Sequence, residues 1–75
     1  PSYAASLSNL ACVHARRGQH ADAAALLQRA VDIAEPALGA AHPDVAAMLH
    51  QLADARQALG DHAAAAALLR RALDT

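Results

Sequence analysis

Phenylalanine, tryptophan and lysine are absent from this 75-residue sequence, and tyrosine, cysteine and methionine occur once each. With valine and isoleucine also scarce, the residues that fill sheet surfaces are missing, and no apolar–polar alternation marks a strand. Cys12 stands alone and has no internal disulfide partner, which points to a reducing, cytoplasmic setting. All six basic residues are arginine, spread over four segments in a chain of net charge −1. No basic face tracks a phosphate backbone, so nucleic acid is excluded as an expected partner. No apolar run approaches the ~20 residues that span a bilayer, and there is no secretory signal, so no membrane partner is expected. Pro1 is not a natural start, and the sequence reads as an interior stretch of a longer protein.

What the chain has instead is alanine, about a third of its residues. Alanine has the highest helix propensity and lets neighbouring backbones approach. The class implied is all-α.

An internal repeat organises this alanine. Gly18 and Gly60 lie 42 residues apart, and the same shift pairs Pro1 with Pro43, Leu7 with Leu49, Leu10 with Leu52 and Ala11 with Ala53. It continues through His20 and His62, Ala23 and Ala65, Leu26-Leu27 and Leu68-Leu69, Arg29-Ala30 and Arg71-Ala72, and Asp32 and Asp74. Roughly half of the aligned positions are identical. Shared alanine richness alone does not place glycine, proline and leucine in register as well.

Each unit reads as helix, tight turn, helix. The division is a first hairpin over residues 1–38, a connector over 39–42 and a second hairpin over 43–75. The first helix is expected from about Ser2 to Arg16, the third from about Pro43 to Leu59. Pro43 suits a first helical turn, and Asp44 suits its positive dipole end. Gly18 and Gly60 supply the left-handed backbone that ends a helix, and Asp61 can cap the fourth helix, whereas Gln19 is a poorer cap for the second. Pro36 is expected to kink the last turn of the second helix or end it early. At 100° per residue, Tyr3, Leu7, Leu10, Ala11 and His14 share the apolar side of the first helix; Val45, Leu49, Leu52, Ala53 and Arg56 match them on the third. The second helix is apolar over more than half its circumference, through Ala23, Ala24, Leu26, Leu27, Ala30, Val31, Ile33, Ala34 and Leu38. Such a helix packs on two sides, against its own partner and against the next hairpin, as in a solenoid.

These residues resemble the kinesin-light-chain type of tetratricopeptide repeat over essentially the whole chain. The likeness rests on Leu7, Leu10-Ala11, Gly18, Ala23, Leu27 and Ala30. It is strengthened by the connector Leu38-Gly39 followed by His42-Pro43-Asp44-Val45-Ala46 and by the 42-residue spacing. The resemblance implies an α-helical superhelix made of antiparallel hairpins, whose first helices line a concave groove that holds extended or helical peptides. Where the family often has tyrosine, this chain has His14, Arg56, His20 and His62. This implies a less firmly packed hairpin, with the histidines as packing or hydrogen-bonding residues. The arginine and alanine bias is associated with a GC-rich bacterial gene; the repeat type does not imply kinesin or transport.

Within that frame the expected partner-binding stripe is Ser8, Asn9, Cys12 and Arg16 on the first helix and His50, Gln51, Asp54 and Gln57 on the third. Arg16 is the strongest candidate, because a guanidinium pairs bidentately with a carboxylate on a ligand. The five histidines form no i, i+4 pair and there is no cysteine cluster, so no metal or other cofactor is expected. His50 and Asp54 are one turn apart, but no nucleophile accompanies them, and no catalytic residue is assigned. The function expected is a protein-interaction module that binds a peptide or partner protein; the alternative is a structural or self-assembly element. The fourth helix should expose a forward face including Leu68 and Leu73, the contact for a next repeat or, in this fragment, for self-association.

Overall fold

A computed structural model describes residues 3–39 and 41–74; the expected helix start at Ser2, and Ala40 within the connector, lie outside them. It has four helices: α1 (Tyr3–Arg16), α2 (His20–Leu38), α3 (Pro43–Ala58) and α4 (His62–Asp74). No strand occurs among the described residues. Packing of α1 on α2, α2 on α3 and α3 on α4 makes two antiparallel hairpins joined into one slab, with Cα extents of 29 × 27 × 14 Å.

The turns inside both hairpins follow from glycine. Gly18 and Gly60 have φ of 78° and 86°, the left-handed region that a side chain disfavours. In each turn the glycine N–H donates three residues back, to Ala15 O or Gln57 O. The next residue's N–H reaches five back, from Gln19 to His14 O and from Asp61 to Arg56 O. This pair of bonds closes the end of a helix on a left-handed residue. Asp61 then caps α4, its Oδ1 accepting from Ala64 N–H at 3.3 Å. Gln19 makes no cap; its Oε1 bonds the Nδ1 of half-buried His14 instead. His20 is also half-buried, but His62 is exposed.

The start of α3 contains an unforeseen cap. His42 has an extended backbone (φ −69°, ψ 135°), and its Nδ1 accepts from Asp44 N–H at 3.1 Å. The Asp44 carboxylate is 3.9 Å from the same nitrogen. The shorter contact with an N–H donor assigns Nδ1 as an acceptor, so the imidazole does here what an asparagine oxygen does at other helix starts.

Alanine forms most of the core. Ala11, Ala23, Ala30, Ala53 and Ala65 are buried with Leu7, Leu27, Leu49 and Leu52, and Ala72 packs against them. Three expectations need correction. First, α2 does not end early at Pro36 but runs on to Leu38, with Gly39 N–H closing the last turn on Glu35 O. One missing N–H two residues from a helix end removes little, and the proline ring is exposed. Second, Tyr3 and Leu10 are exposed, as are Ile33 and Leu38 on α2. Ala4 joins Leu7 and Ala11 in α1's buried set, because these residues face α2, whereas no described helix packs on the outer flank of α1. Third, Leu68 lies in the core, while Leu73 alone of the expected forward pair is exposed. The cause is the angle between them: five residues turn the helix by about 140°, so the two leucines occupy different faces.

Two measurements check this packing. Ala30→Leu must push helices apart and should destabilise by about 1–3 kcal/mol. Ala25→Leu, on an exposed position, should change stability by under ~0.5 kcal/mol. Equal Tm values for the two would contradict the assigned faces. For the cap, His42→Ala should lose about 0.5–2 kcal/mol and His42→Asn should recover most of it, read by urea unfolding.

Candidate functional site

The polar stripe predicted on α1 and α3 flanks a recess of about 110 Å³. Ala23 and Leu27 of α2 form its floor. Ala11, Cys12 and Ala15 line one wall and Gln51, Asp54 and Ala55 the other. The recess exists because four of these eight positions are alanine on helices held close together; longer side chains would fill it. Its apolar base leaves room for a small aliphatic side chain.

A hydrogen bond bridges the two walls. Ser8 Oγ donates to Gln51 Oε1 at 3.0 Å, and Cys12 Sγ lies 3.9 Å from the same oxygen. With Oε1 engaged from α1, Nε2 keeps two N–H donors that have no partner among the described residues. Asp54 is exposed at the lip of the recess, one turn along α3 from His50, and no hydrogen bond or ion pair joins that histidine to it.

The structure thus brings Ser8, Cys12, Gln51 and Asp54 together. Arg16 is exposed one turn beyond Cys12, outside the recess lining, and Asn9, His50 and Gln57 are also exposed and outside it. The recess floor was read from sequence as core only; its signal was the pair of small residues Ala11 and Ala15 flanking Cys12, one turn apart. Cys12 is a free, exposed thiol. Among the described residues no group of three or more His, Cys, Asp or Glu could hold a metal ion, and no helix is long and apolar enough to cross a membrane.

Two helical hairpins with internal self-similarity, stacked through α2 and α3, define a helical-repeat protein. A family model for the tetratricopeptide repeat matches residues 2–75, and the chain belongs to that family. Comparison with curated proteins gave no match. The family is in general one of non-catalytic protein–protein interaction modules.

The wall-to-wall bond is open to measurement. A double-mutant cycle of Ser8→Ala with Gln51→Ala should give a coupling of about 0.5–1.5 kcal/mol in unfolding free energy. Asn9→Ala with His50→Ala should give a coupling near zero, since no bond joins these two side chains. No coupling in the first cycle would mean that Ser8 and Gln51 do not bond.

Proposed function

We propose that this chain binds a peptide, or a segment of a partner protein, along the groove between α1 and α3 as part of a longer repeat array. The observation that carries the reading is the Ser8–Gln51 bridge above an apolar recess. It presents an amide donor beside a small apolar cavity, the pairing that recognises a peptide carbonyl together with a neighbouring side chain. Asp54 supplies an acceptor for a peptide N–H or a basic side chain. Arg16 supplies the opposite charge one turn away and suits a carboxylate on the same ligand. Asn9, Cys12, His50 and Gln57 extend the polar border of the groove. The 42-residue period and the His42-Pro43-Asp44-Val45-Ala46 connector support the kinesin-light-chain-like subtype. The single thiol is consistent with a cytoplasmic site of action. Assembly through the terminal helices uses other surfaces and does not compete with this role.

Selection from a displayed random-peptide library provides the test. Selected peptides should carry an Asp or Glu. Their affinity should fall several-fold with Arg16→Ala, several-fold with Gln51→Ala, and further as salt is added. Peptides that bind without an acidic residue and ignore both substitutions would refute the groove reading.

A further inference from the structure

The recess between α1 and α3 sets the size of what enters it. Its base is Ala23 and Leu27, and Ala11, Ala15 and Ala55 add only methyl groups to its sides, leaving about 110 Å³. At the roughly 30 Å³ that a molecule occupies in liquid water, this holds about three or four atoms of that size, an isopropyl or isobutyl group. An apolar cavity of roughly 150 Å³ accommodates a benzene ring, so an aromatic side chain exceeds this recess. A base without polar atoms favours a branched aliphatic side chain, which gains in proportion to the apolar area it removes from water.

Apart from the Cys12 thiol, the polar groups in the lining are Gln51 and Asp54. They stand three residues apart on α3, which puts their Cβ atoms about 5–6 Å from each other on one face. Gln51 Nε2 has two free donors, and the Asp54 carboxylate makes no hydrogen bond or ion pair among the described residues. One recess is thus flanked by a donor and by a full negative charge that lacks a cation. In an extended peptide, the residue next to the one anchored in the recess points its side chain to the opposite face. The nearest side chain on the same face starts two residues away, about 7 Å along the chain and beyond the recess. A lysine or arginine beside the anchor is therefore poorly placed for Asp54. The anchor residue's own nitrogen is well placed, because it, the side chain and the carbonyl all diverge from one Cα. Within a chain that nitrogen offers a single neutral N–H. At an amino terminus it offers three donors and a positive charge, the match for an unpaired carboxylate.

The geometry points to capture of a free amino terminus, the first residue of a partner polypeptide, bearing a small branched aliphatic side chain such as valine or leucine. Its side chain fills the recess, its α-ammonium pairs with Asp54 and its carbonyl accepts from Gln51 Nε2. The inference rests on the groove reading and names the ligand class for it. Arg16, outside the lining, is left for a carboxylate elsewhere on the same peptide. Because Asp54 is exposed, the ammonium pair is screened by solvent and salt, and apolar burial carries much of the affinity. The two contributions select different things. The recess selects the size of the first side chain, and Asp54 selects a chain end over a chain interior.

Fluorescence anisotropy with synthetic peptides X-Glu-Ser-Glu-Ser, dye-labelled at the carboxyl end, tests the proposal. X is Val, Leu, Gly or Phe, and each peptide is made with a free and with an acetylated amino terminus. The free Val and Leu peptides should bind, and Gly or Phe at X should weaken binding several-fold. Acetylation of the Val peptide should also weaken it several-fold. Asp54→Asn, an isosteric change at an exposed position, should keep wild-type helical content by circular dichroism. It should weaken the free Val peptide as much as acetylation does, and leave the acetylated peptide unchanged. Free and acetylated Val peptides that bind alike, yet both lose affinity with Gln51→Ala, would overturn the amino-terminal assignment while leaving the groove in place. Tightest binding with Phe at X would overturn the size limit. Failure of the free Val and Leu peptides to bind at all overturns the inference alone, since the library-selected peptides test the groove independently.

Discussion

Close approach through alanine is the constraint on which the rest of this structure depends. A helix face built of Ala11, Ala23, Ala30, Ala53 and Ala65 offers little apolar area per residue, so it stabilises only if the backbones come near enough for many small contacts. That proximity lets Leu7, Leu27, Leu49 and Leu52 fill the remaining core with no phenylalanine or tryptophan in the chain. It also leaves the recess between α1 and α3, since the same alanines that admit close packing fail to fill the space above α2. Core and groove are therefore two results of one choice of residue. A substitution that enlarges one alanine alters both.

Polar contacts have a different task. The Gln19–His14, Asp61–Ala64, His42–Asp44 and Arg71–Glu35 contacts all lie on the surface, at turns, helix starts or the repeat boundary. The described residues include no buried polar or charged side chain. Each such surface bond is worth on the order of 1 kcal/mol or less. They fix where helices begin, end and abut, while apolar burial supplies the driving force.

The division between legible and hidden features follows the same line. Helix order, the two glycine turns and the Asp61 cap could be read from sequence, because each depends on local backbone preference and is written twice in the repeat. The status of Tyr3, Leu10 and Leu68 could not. Periodicity identifies an apolar residue's angle around its helix, but exposure depends on which flank a neighbour occupies, and among the described residues no helix packs on the outer flank of α1. The Ser8–Gln51 bridge was hidden for a related reason. Both residues were placed on the groove side, yet their pairing depends on how far α3 is shifted along α1, which no single-helix pattern encodes. The His42 cap was missed because imidazole is seldom the acceptor at a helix start, although the following proline marked the position.

Tyr3 has one more consequence. It is the only aromatic residue in the chain, and its ring stands at the outer face of α1 with its hydroxyl held by Arg29. All side-chain near-ultraviolet absorption and all intrinsic fluorescence of these 75 residues therefore originate at one point, on the outer face of α1. Helix contents, groove occupancy and core packing are spectroscopically silent by comparison. The molecule carries a built-in optical label whose signal reports the covering or uncovering of that single face, with no fluorophore added.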